Sequence, residues 1–107
     1  MTDKIVVLST CASPEEANRL ARRLVEERLA ACVNIVNSVR SVYRWRGKIE
    51  DSEETLLVIK SSRGLFEALR AVLESALSYE VPEVLALPVL AGSPNYLNWL
   101  ESELNAG

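Results

Sequence analysis

Hydrophobic and polar residues alternate along this chain with two different periods, and the switches between periods mark out its elements. Ile5-Val6-Val7-Leu8 is an unbroken apolar run, the pattern of a central strand buried on both faces. Ser13-Pro14-Glu15-Glu16 then carries helix-start chemistry. Ser13 offers an N-cap hydroxyl, Pro14 suits the first helical position, and Glu16 completes a capping box. Ala17, Leu20, Ala21 and Leu24 follow at i, i+3, i+4 and i+7, while Arg19, Arg22, Arg23, Glu26 and Glu27 fall mostly on the opposite, solvated side.

From residue 32 the period becomes two. Val33, Ile35, Val39, Tyr43 and Trp45 form an apolar odd-numbered series, and Arg40, Arg44 and Arg46 a polar even-numbered one. Asn37-Ser38 interrupts the apolar series and predicts a bulge or bend. Gly47 marks a tight turn, either Arg46-Gly47 or Gly47-Lys48; the second choice would set Arg44 opposite Asp51. The return strand runs from Ile49 to near Lys60, with Leu56-Leu57-Val58-Ile59 buried on both faces. The outgoing strand from Cys32 to Arg46 is fifteen residues long, which at about 3.4 Å each is roughly 50 Å. A compact domain of this length is only about 30–35 Å across. Such an arm cannot stay within its own globule without bending sharply. Tyr43 and Trp45 near its far end need cover that another subunit would supply.

A second helix is predicted over residues 62–77, with Leu65, Leu69, Val72 and Ala76 as its apolar stripe. Tyr79-Glu80-Val81-Pro82-Glu83 is a connector, because Pro82 cannot donate to a ladder and restricts Val81. Residues 84–90 read as a strand that Pro88 places at an edge or a bulge. Gly92-Ser93-Pro94 starts a short third helix with Tyr96, Leu97, Leu100 and Leu104 facing inward. Strand, helix, strand, strand, helix, strand, helix is an α+β order. It is the ferredoxin-like βαββαβ pattern with an extra C-terminal helix and a long β-hairpin arm, in one domain over residues 1–107.

Composition narrows the chemistry. Hydrophobic content of 49% and charged content of 25% are ordinary for a globular protein, and the net charge of −3 argues against a general nucleic-acid binder. No apolar run reaches membrane-span length, so no membrane partner is expected. The start, Met1-Thr2-Asp3-Lys4, lacks signal-peptide character, so a cytoplasmic location is expected. With no histidine, Ser-His-Asp and Cys-His catalysis and histidine-rich zinc sites are excluded. Cys11 and Cys32 are too few for a four-cysteine iron–sulfur cluster. No phosphate-cradling glycine motif occurs, and residues 9–13 lack the arginine an acylphosphatase-like loop would need. The remaining polar candidates are Cys11, Cys32, Glu53, Lys60, Tyr79, Glu80 and Glu83. A thiolate suits Cu(I), and a thiolate with carboxylates suits a borderline divalent ion. The plainer reading packs Cys32 as a small hydrophobe and pairs Glu80 and Glu83 with arginines.

Five blocks together resemble the CutA divalent-cation-tolerance proteins. They are Glu27-Arg28-Leu29-Ala30-Ala31-Cys32-Val33-Asn34-Ile35, Ser41-Val42-Tyr43-Arg44-Trp45-Arg46-Gly47-Lys48-Ile49-Glu50, residues 57–60, Tyr79-Glu80-Val81-Pro82-Glu83-Val84, and Tyr96-Leu97-Asn98-Trp99-Leu100. The resemblance implies a tight homotrimer similar to PII signalling proteins, with Tyr43, Trp45 and Trp99 at the subunit interface. It implies a role in tolerance of metal ions, copper above all, by a binding or scaffold module and not an enzyme. Copper or another divalent cation is the one cofactor it suggests, and none is required. Many members carry a histidine before the Tyr-Glu-x-Pro-Glu block where this chain has Leu77, and some a cysteine where it has Ser9. That leaves Cys32, Glu80 and Glu83 as the metal-ligand candidates. The alternative is a PII-like small-molecule or nucleotide sensor, with a ligand in inter-subunit clefts lined by Trp45, Lys60, Tyr79 and Tyr96.

Overall fold

The computed structural model describes residues 2–105. Its elements are β1 (Lys4–Cys11), α1 (Pro14–Glu26), β2 (Cys32–Trp45), β3 (Lys48–Ser62), α2 (Phe66–Ala76), β4 (Leu85–Pro88) and α3 (Pro94–Glu103), with a single 3-10 turn at Arg63–Leu65 leading into α2. The order is the one the periodicity predicts. The strands form one antiparallel sheet in the order β2-β3-β1-β4, with β1 central and the short, proline-ended β4 at an edge.

The helices cover one face of this sheet. Ile5, Val7, Leu57 and Ile59 point into a core shared with Ala17, Leu20 and Leu24 of α1, Leu69 and Leu73 of α2, and Leu100 of α3. The start of α1 behaves as its sequence requires. Ser13 Oγ accepts from the Glu16 amide at 3.2 Å, and Glu16 Oε1 accepts from the Ala12 amide, one residue before the cap. Burial in α2 follows Leu65, Leu69, Leu73 and Leu77, so Leu73 and Leu77 replace the expected Ala76, which is exposed, while Val72 is only half-buried. In α3, Leu100 is buried and Leu97 packs against the core, but Tyr96 faces outward. Lys4, almost wholly buried, ties the sheet to α3 through Glu101 at 2.5 Å and also pairs with Asp3 at 2.7 Å.

Among the described residues no helix covers the other face of the sheet. Val6, Leu8, Val36, Leu56, Val58, Leu85 and Leu87 lie on it in register. This corrects two expectations of burial on both faces. Val6 and Leu8 in β1, and Leu56 and Val58 in β3, are only half-buried, because none of the described helices covers that side.

The hairpin contains the predicted irregularity. Val36 pairs with Leu56 but Val39 pairs with Glu54, so Asn37 and Ser38 share one opposing residue, and Ser38 takes φ 61°. The extra residue reverses the alternation. Val33 and Ile35 pack toward the helices, whereas Val39, Tyr43 and Trp45 belong to the helix-free side. The apolar odd-numbered series is therefore two half-series serving opposite faces. The turn is Arg46-Gly47, both at positive φ (51° and 81°), and Trp45 pairs with Lys48. Arg44 consequently opposes Ile49, and Asp51 is held by Arg40 at 2.6 and 2.9 Å. β1 ends opposite Thr55, so the ladder from Val39 and Glu54 outward has only two strands. The molecule measures 44 × 26 × 23 Å.

Candidate functional site

Where the two-stranded ribbon leaves the sheet, it meets the connector after α2, and a cavity of about 510 Å³ opens between them. Thr10 lies near the end of β1, Tyr43 and Trp45 on the outer part of β2, Arg46 in the turn and Glu54 at the inner end of the two-stranded ribbon. The connector contributes Ser78, Tyr79, Glu80, Val81 and Glu83. The bulge puts Tyr43 and Trp45 here, since without the extra residue both rings would face the helices. Pro82 keeps the connector out of regular structure, and the Ser9 hydroxyl fixes it by donating to the Glu83 carbonyl at 2.7 Å.

Two polar clamps join the ribbon to the connector. The Tyr79 hydroxyl donates to Glu54 Oε2 in a short hydrogen bond. Burial, and then this bond to a carboxylate, hold the Tyr79 phenol well above its usual range, so it is a neutral donor. At the turn, Arg46 Nη2 reaches both Glu80 oxygens, at 2.7 and 3.1 Å, while its guanidinium carbon lies 5.4 Å from the Trp45 ring centroid. Glu54 and Glu83 have no cationic partner among the described residues. Cys11, completely buried at the end of β1, is pushed up from 9.0 to about 11 by burial and by the charges of Glu16 and Glu54. It is a protonated core thiol.

The cavity gathers some of the sequence candidates and leaves others apart. Trp45, Tyr79, Glu80 and Glu83 line it together. Cys32 does not, for it sits at the far end of β2, level with Lys60 and Val6. Thr10 is four residues further along β1, a separation of about 13 Å at strand rise. Lys60 stays with Cys32, its ammonium 3.9 Å from Sγ and hydrogen-bonded to Asn34 Oδ1 at 2.5 Å. Tyr96 and Trp99 stack on the outer side of α3, centroids 5.6 Å apart and each about two-fifths exposed. Glu53 pairs in register with Arg40 on the ribbon. Among the described residues no three of His, Cys, Asp and Glu gather in a metal-holding arrangement. Cys32, Glu80 and Glu83 of one chain therefore do not form a metal cage.

Sequence reasoning missed Glu54, Arg46 and Tyr43 as partners in the cavity. The signal for them was the register across the bulge. Counting residues alone places the interruption at Asn37-Ser38 but does not say that it reverses the faces.

Comparison with known proteins agrees with the fold. The CutA1 divalent ion tolerance protein family matches residues 5–103. Protein CutA of Mus musculus is 46% identical over 102 residues, covering 92% of this chain and 58% of the mouse protein. This chain thus spans little more than half of that relative. The divalent-cation tolerance protein CutA of Thermus thermophilus is also 46% identical, covering 89% of this chain and 92% of its own. The crystal structure of CutA from Xylella fastidiosa superposes with a TM-score of 0.94 at 38% identity, covering 97% of this chain and all of that one. The near-complete match to the family and the shared fold together place this chain in the CutA1 divalent ion tolerance family.

Proposed function

We propose that the protein acts in divalent-cation tolerance as a homotrimeric binding or scaffold module, not as an enzyme. The observation that carries this reading is the helix-free face of the sheet. Val36, Leu85 and Leu87 are exposed there at 43, 57 and 50%, beside half-buried Val6, Leu8, Leu56 and Val58. A contiguous apolar sheet face of this kind marks a protein interface. The ribbon beyond Thr55 supports the same reading, because two strands alone are marginal in water and Tyr43 and Trp45 face that same side. A second and third copy would cover both features and close the β2 and β4 edges in a ring. Sedimentation equilibrium at micromolar concentration should report a trimer, and Leu87→Glu should dissociate it. A well-folded monomer overturns the proposal.

Copper is the finer part of the proposal. Within one chain the thiol and the carboxylates lie apart, so a site would need ligands from two copies. Titration calorimetry should therefore show weak copper binding or none. Sub-micromolar binding abolished by Cys32→Ser would contradict this. The cavity favours a small-molecule role as a second reading, within the same assembly. Its surplus of carboxylates argues against a nucleotide there, because phosphates would meet like charge.

A further inference from the structure

The helix layer holds a second, smaller cavity of about 180 Å³, between α1 and the last residue of α2. Glu16, Arg19, Leu20 and Arg23 line it from α1, at i, i+3, i+4 and i+7, and Ala76 lines it from α2. Opposite charges three residues apart on a helix are neighbours and readily pair. Here Glu16 and Arg19 do not, and Arg19 has no carboxylate partner among the described residues. Arg23 uses only its Nε, which donates to Glu27 Oε2 at 3.0 Å. Glu16 Oε1 accepts from the Ala12 amide at 3.2 Å, which leaves Oε2 open. On the Ala76 side, α2 ends with no basic residue in its last turn, so its terminal carbonyls add partial negative charge. Leu20, only 4% exposed, gives the cavity an apolar floor.

We propose that this cavity binds a small zwitterion of the α-amino-acid class. The ligand's carboxylate would take charge-assisted hydrogen bonds from the guanidiniums of Arg19 and Arg23. Its ammonium would meet Glu16 Oε2 and the carbonyl end of α2, and an apolar side chain would lie on Leu20. A ligand with one charge leaves the opposite half of the cavity unmatched. The volume lies below the about 300–1,000 Å³ of drug-sized sites, so the ligand must be small. The cavity opens in the helix layer, across the sheet from Leu87, and shares no residue with the cavity beside the ribbon. The inference therefore does not rest on the trimer reading.

The test is an NMR titration of the full chain at neutral pH and fixed ionic strength with three probes. They are leucine, isoamylamine, which lacks its carboxylate, and 4-methylpentanoate, which lacks its ammonium. The amides of Arg19, Leu20 and Ala76 should shift together with leucine and saturate at one site per chain. Each half-charged probe should bind at least about tenfold more weakly. Arg19→Gln should weaken leucine about tenfold, while Arg22→Gln, on the same helix but outside the cavity, should leave it unchanged. Both positions are exposed, so circular dichroism of the two variants should match the parent. Leu87→Glu should bind leucine as the parent does, whether or not sedimentation finds it dissociated. The proposal is overturned by the absence of a saturable leucine shift, by equal affinity for either half-charged probe, by an unchanged Arg19→Gln variant, by an Arg22→Gln variant weakened as far, or by lost leucine binding in a folded Leu87→Glu variant. Sedimentation alone decides the trimer, so the two readings fail separately.

Discussion

Raising the pH should destabilise this protein through one buried sulfur. Cys11 has no exposed surface, and burial together with Glu16 and Glu54 lifts its thiol from 9.0 to about 11. The neutral form is therefore favoured in the folded state. Its contribution is complete below pH 9, where folded and unfolded thiols are both protonated, and is lost as pH rises through 11. Two pH units at 1.36 kcal/mol each give about 3 kcal/mol. Urea unfolding should be measured from about pH 8 to pH 11 at one fixed protein concentration, since the proposed assembly would make stability concentration-dependent. Cys11→Ala is the control. It should cost about 1–2 kcal/mol at neutral pH through the small void it leaves, and its stability should fall less steeply above pH 9. The difference between the two curves isolates Cys11 from the lysines and tyrosines that titrate nearby. Parallel curves from pH 9 to 11 would refute the reasoning. So would a native protein in which a thiol reagent modifies Cys11 as fast as half-buried Cys32.

Deleting Ser38 should restore a regular ladder and turn Tyr43 and Trp45 toward the wrong face; the expected result is a folded helical layer with lost assembly by sedimentation, and an intact trimer would refute the role given to the bulge. Tyr79→Phe should cost about 1 kcal/mol in urea unfolding at neutral pH, a hydrogen bond to a carboxylate discounted for partial exposure. Because the Tyr79 phenol is held above its usual 10.0, that loss should shrink as pH rises past 10, whereas a constant difference would mean the hydroxyl is not a neutral donor.

Much of this architecture is legible in local patterns. Ser13-Pro14 with the Ala17-Leu20-Ala21-Leu24 stripe predicts α1 and its buried side, and the structure agrees. Gly47 announces the turn because only a residue without Cβ enters φ 81° freely. What the chain does not announce is which of two adjacent turns forms, and that choice moves Asp51 from Arg44 to Arg40. Apolar runs also mislead at Leu56 and Val58. Their hydrophobicity is the same as that of Leu57 and Ile59, yet they face the side where no helix lies. The cavity was half-legible. Tyr79, Glu80 and Glu83 are neighbours in sequence, but Glu54 and Arg46 join them only through long-range pairing. Cys32 looked like a companion to the glutamates because residue type carries no information about distance.

The two-stranded ribbon also has a consequence in time. Its pairs are local in sequence, so the hairpin can zip on a microsecond scale, yet without a third strand it holds little stability of its own. It should therefore be the segment whose amides exchange first with solvent in an isolated chain. The compact part, built around Leu57, Ile59, Leu69 and Leu73, can consolidate first, leaving the outer ribbon to fluctuate until something docks on it. Folding would then finish in a step whose rate depends on protein concentration, and the last backbone to become rigid would be the stretch that carries Tyr43, Trp45 and Arg46.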